Sequence, residues 1–168
     1  MKRGSYVRRF ICVLGASGLL AFPSAVAQTP AVQTITPVYL IKMMAVHDMP
    51  AEFVDIDDAE GPTLAAMSGD FSFLASFEAC DENGDGCEIL VLRCGFSFAP
   101  EDQPDQAAVN LWNRETWGKA FIDEDGDPWI SLELNVVGGL TEENLSDTLM
   151  WWSDLIVDFA DAFGYQTS

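Results

Sequence analysis

The chain has 168 residues, 27 acidic against eight basic, for a formal charge of −19, and 49 % of it is apolar. A field of that sign repels nucleic-acid phosphates and anionic lipid, so both are set aside as partners; basic partners or divalent cations are favoured, and solubility outside the cell is the plainest use of the charge. The length suits one domain with one core, and the apolar residues recur periodically, which excludes a disordered chain.

The first element in chain order is an export signal. Lys2, Arg3, Arg8 and Arg9 precede the apolar run from Phe10 to Phe22, and Ala25-Val26-Ala27 offers a small-x-small cleavage site. This order predicts a signal peptide over 1–27, cut after Ala27, with an apolar run too short to span a bilayer. The residues after Arg8-Arg9 fit a twin-arginine signal poorly, and Cys12 lacks the context of a lipoprotein site. No later run is apolar enough for membrane insertion. The expected address is the periplasm or the exterior. Cleavage would leave four basic against 27 acidic residues, a formal charge of −23. Residues 28–35 read as a flexible tail and 36–168 as a single domain.

Thr36 and Pro37 form a helix start, and the apolar stretch after them predicts a well-buried helix over 37–48, stopped by Pro50. Strands are predicted over 52–57 and 62–67, separated by a turn at Ser68-Gly69-Asp70 from the next. FSFLASFEA alternates, with Phe71, Phe73, Ala75 and Phe77 on one face. ILVLRCGF alternates too, with Leu90, Leu92, Cys94 and Phe96 toward the core. Period two with one polar side is the mark of an antiparallel sheet with one solvated face. A second helix is predicted over 104–115. WGKAFID and WISLELNV follow as strands joined at Asp125-Gly126, a strong hairpin signal. Gly138-Gly139 breaks the sheet, and Thr141 caps a last helix over 142–163, whose Leu145, Leu149, Trp152, Ile156, Phe159 and Phe163 make one apolar stripe. The fold class is α+β: an antiparallel sheet with helices packed on it, in the order α-β-β-β-β-α-β-β-α.

Two acidic loops could be cation sites. CDENGDGC, Cys80 to Cys87, carries the front of a calcium loop in Asp81, Asn83, Asp85 and Gly86. Its twelfth position is Leu92 rather than the bidentate Glu such a loop needs, and its flanks read as strands. In an oxidising compartment Cys80 and Cys87, at facing ends of a hairpin, are instead expected to form a disulfide, with Cys94 a buried free thiol. The second loop, Asp123 to Asp127, has Pro128 where a cation loop needs glycine and reads as a charged hairpin tip. Zinc is not expected, since His47, the one histidine, lies far from the cysteines. No nucleophile, metalloprotease or phosphate-loop motif is present, so neither a catalytic residue nor a cofactor is assigned. Trp151 and Trp152 read as core and flank.

One segment is more distinctive. Asn110, Trp112, Asn113, Arg114, Trp117, Gly118, Asp123 and Asp125 to Asp127, followed by Gly138, Gly139 and Trp152, resemble the signature of the YbjN family over about residues 105–164. The resemblance implies a fold like that of type III secretion chaperones, a loose regulatory label and no catalytic residues; the fold analogy leaves a homodimer open. Thr116 and Trp117 stand where a basic residue and Phe are common in the family, which weakens any inherited basic contact surface. Trp112, Asn113 and Arg114 are the candidate binding residues. Asn113 and Arg114 could pin the helix to the hairpin or read a partner's backbone or carboxylate. Three readings of function stay open: a non-enzymatic binding or chaperone-like module with a protein or peptide partner, a small hydrolase built on acidic residues, and an acidic structural or cation-binding protein.

Overall fold

The computed structural model describes residues 32–57, 59–83 and 86–165. The predicted signal peptide and its cleavage site lie outside these residues, as does Asp85 of the octet.

The elements are β1 Val32–Gln33, α1 Pro37–Val46, β2 Ala51–Val54, β3 Thr63–Ser68, β4 Phe71–Glu78, β5 Ile89–Gly95, α2 Gln106–Glu115, β6 Lys119–Ile122, β7 Pro128–Asn135, β8 Leu140–Thr141 and α3 Glu142–Phe163. The class and order are those read from the sequence, with two short strands added. β1 and β8 pair antiparallel, Val32 opposite Thr141 and Gln33 opposite Leu140, so part of the stretch read as a tail is tied to the start of α3. The other six strands form one antiparallel sheet in the order β2-β3-β4-β5-β7-β6.

Local chemistry sets the helix ends. Thr36 caps α1 by accepting from the Tyr39 N–H at 3.2 Å. α1 ends at Val46, earlier than residue 48, because the chain closes a left-handed cap: Asp48 has φ 56° and the Met49 N–H returns to the Met44 carbonyl at 3.0 Å. It is also less enclosed than its composition suggests. Leu40, Met43 and Met44 are buried, while Val38 and Val46 face outward. α3 starts on Thr141, whose hydroxyl accepts from Asn144, and ends on Gly164 in the left-handed region.

The registry puts Phe73, Ala75, Phe77, Leu90, Leu92, Cys94 and Ile130 on one sheet face, all buried. The α3 stripe of Leu145, Leu149, Trp152, Ile156 and Phe159 lies in the same core. Trp152 meets Phe73 edge-on at 5.8 Å, and Phe159 meets Phe96 at 5.6 Å. Burying each such side chain contributes on the order of 2–3 kcal/mol before chain entropy is charged. On the opposite face Val91 is also only 1 % exposed. It stands opposite Ser76, between the Leu74–Arg93 and Glu78–Ile89 pairs. Arg93 reaches past that pair to Glu78 at 2.9 Å.

Candidate functional site

The three residues singled out in the second helix point three ways. Trp112 is buried, with its ring edge-on to Phe159 at 5.0 Å, and its indole N–H has no hydrogen-bond partner among the described residues. Asn113 turns to β6, an edge strand of the sheet. Its Oδ1 accepts from the Ala120 N–H at 2.7 Å and its Nδ2 donates to the Ala120 carbonyl at 2.9 Å. The side-chain amide thus stands in for a neighbouring strand and closes the edge locally. Arg114 lies in solvent, paired with Glu115 at 3.0 Å. An exposed pair between adjacent residues contributes little.

The two acidic loops are closed from within. Cys80 and Cys87 are disulfide-bonded. Within that loop the Asn83 N–H donates to Asp81 Oδ1 at 2.8 Å. In the other loop Asp123 receives the backbone N–H groups of Asp127 at 2.9 Å and Asp125 at 3.0 Å, and the Trp129 indole N–H at 2.7 Å. The Asp127 bond first, then the Trp129 bond, hold its carboxyl below the ordinary aspartate value. Asp127 in turn accepts from the Phe98 N–H at 2.9 Å, fixing the chain that leaves β5. No group of three or more metal-ligating side chains occurs among the described residues. Cys94 is free and buried, its thiol donates to the Ser72 carbonyl at 3.2 Å, and burial pushes its pKa up to about 12. His47 Nε2 lies 2.8 Å from Ser146 Oγ and ties the end of α1 to α3.

Two cavities that share Asp158 lie along α3, one toward the α2–β6 connection and β7, the other toward α2. Trp151, Asp154, Leu155 and Asp158 recur at helical spacing on the flank of α3, beside the core stripe. Trp151 is 58 % exposed, whereas the adjacent Trp152 is fully buried at 0 %. Trp117, in the connection from α2 to β6, is 76 % exposed and lies against Trp151, with ring centroids 6.0 Å apart and planes at 47°. Gly118 makes this approach available. It has φ +75°, and a Cβ there would come within 2.9 Å of Leu155 Cδ2 and 3.2 Å of the Ser131 carbonyl.

The two indoles, with Leu132 and Leu155, line a cavity of about 240 Å³ edged by Asp154 and Asp158. Asp158 also borders a second cavity of about 530 Å³, walled by Leu111, Trp112 and Phe163 with Glu115 and Asp161. The result is an apolar trough with acidic walls. Large apolar side chains held out of the core in one contiguous place are the usual mark of an interaction surface. Sequence reasoning read Trp151 and Trp152 as core and flank, which is how they lie, and did not take the flank for a surface; neighbouring helical residues differ by about 100° in direction, so only one could face the core.

A family model for YbjN, described as "Putative bacterial sensory transduction regulator", matches residues 37–164. The chain belongs to the YbjN family. No curated protein matches the chain in a sequence search. Several of the YbjN signature residues serve the fold here. Asn113, Asp123 and Asp127 hold the β6–β7 hairpin, and Trp152 fills the core. Trp117, the signature position that departs from the common Phe, is one wall of the groove.

Proposed function

We propose that this YbjN chain is an exported, non-enzymatic binding module that docks a protein or peptide segment in the α2–α3 groove. The observation that carries this reading is the Trp117–Trp151 pair, two indoles held in solvent at the mouth of an apolar cavity. Trp and Tyr in such positions dominate the energetics of many protein interfaces. Trp112 is a wall of the adjoining cavity, Arg114 lies exposed on the same helix, and Asn113 fixes β6, just after the connection that carries Trp117. These are the roles assigned to the three candidate binding residues. The regulatory description of the family suits a module that acts through a partner.

Export rests on the N-terminal charge and apolar order. The disulfide, and the lack of any described helix long and apolar enough to cross a membrane, are compatible with it.

The test compares capture from periplasmic extract by the exported protein and by a Trp117→Ala/Trp151→Ala form. Both rings are largely exposed, so the variant should unfold close to the parent. Loss of a partner with an unchanged unfolding curve is the expected result. A partner retained equally by both forms overturns the groove as its site.

A further inference from the structure

We infer that the groove takes a lysine- or arginine-bearing segment whose cationic head seats at the Trp117–Trp151 pair. This rests on the groove reading above and adds the chemistry of the occupant.

Three features of the same place agree. The first is aromatic. Indole faces carry the negative lobe of the ring quadrupole and attract a cation within about 6 Å of the centroid. Two indoles lie together here, with centroids 6.0 Å apart and planes at 47°, and both stand largely in solvent where a cation can reach a ring face. The second is charge. Asp154 and Asp158 lie one helical turn apart at the edge of the same cavity, and Glu115 and Asp161 continue the acidic wall along the neighbouring one, while neither cavity is lined by a basic residue. The third is the floor. Leu132 and Leu155 offer apolar surface against which the methylene stem of a lysine or arginine packs while its head stays near water and carboxylate.

Other occupants fit less well. An acidic segment meets like charge on every wall. A purely apolar segment would strip water from the aspartates without replacing it. A second copy of this chain brings the same negative field, and two of its basic side chains, Arg93 and Arg114, are already paired with glutamates. The wider cavity along Leu111 and Phe163 then receives apolar neighbours of the cation, so the segment is basic and amphipathic.

The experiment uses the exported protein and two peptides of equal length, one of alternating leucine and lysine, the other with every lysine replaced by glutamine. Binding is followed by tryptophan fluorescence and calorimetry at fixed salt. The lysine peptide should bind more tightly. Trp117→Ala and Trp151→Ala should each weaken it roughly 3–30-fold, the range of one cation–aromatic contact. Asp154→Asn/Asp158→Asn should weaken it clearly more than Glu52→Gln/Asp55→Asn, which removes the same charge at the far edge of the sheet. If both peptides bind equally and both are lost in the tryptophan variants, the groove stands and the cation inference falls. If the lysine peptide binds regardless of the tryptophans, or both pairs of charge variants weaken it equally, attraction is general and the inference falls. Failure of both peptides to bind overturns it too, while partner capture in the previous experiment judges the groove independently.

Discussion

The two acidic hairpin tips answer the same problem with different chemistry. Each turns an antiparallel pair through a loop rich in Asp and Gly, and each looks in sequence like the beginning of a cation site. The β4–β5 tip is held by a covalent bond between Cys80 and Cys87. The β6–β7 tip is held by one carboxylate, Asp123, which takes two backbone N–H donors from its own loop and the indole N–H of Trp129 in β7. The first is therefore sensitive to reductant, and the second to acid. In the β6–β7 tip both oxygens of Asp123 already have donors within the protein.

The largest effect should come from the covalent tip. Cys80→Ser/Cys87→Ser, or reduction, should lower the unfolding free energy by about 2–3 kcal/mol, as expected for so short a closed loop. Denaturant titration with and without reductant checks this, and an unchanged midpoint would mean that the bond is not formed in solution. Next is Asn113→Ala, which removes both bonds closing the β6 edge and should cost about 1–2 kcal/mol by thermal melting. A variant that melts like the parent would show that water replaces the amide at no cost.

Asp123→Asn should be milder and should depend on pH in a definite sense. Folding lowers the carboxyl's pKa, so its stabilising contribution is complete above the ordinary aspartate value and is lost as pH falls through the lowered one. Parent and variant melting temperatures should differ at neutral pH and converge on acidification. A gap that is constant with pH breaks the contrast between the tips. The smallest effect belongs to Arg114→Ala, expected within about 0.5 kcal/mol of the parent because its pairing with the neighbouring Glu115 is an exposed one.

Much of the fold was readable because the sheet has one covered face. Phe73, Ala75, Phe77 and Leu90, Leu92, Cys94 alternate as the pleat requires, and the α3 stripe keeps helical spacing through five turns. β1 and β8 were not readable. A two-residue strand has no period, and its pairing is decided by where Thr141 starts α3 rather than by anything in Val32 and Gln33. The candidate site was legible only in part. Motif reasoning led to Trp112, Asn113 and Arg114, whose contacts in the structure are the core, a strand edge and solvent. Trp117 and Trp151, which form the groove, are 34 residues apart in the sequence. Only the packing of the α2–β6 connection against α3 brings them together, and no local pattern encodes that.

The shielded thiol has a consequence for how the cysteine pairing is kept. Disulfide exchange requires a thiolate, and an unperturbed cysteine near pKa 8.5 supplies a few per cent of it at neutral pH. In the unfolded chain Cys94 can therefore attack the bond between Cys80 and Cys87, or compete for either partner. Once it is buried in the core, with its pKa pushed up to about 12, almost none of it is ionised. Folding thus silences the free thiol nearest in sequence to the hairpin, so the correct pairing is also one that, once made, Cys94 stops revising.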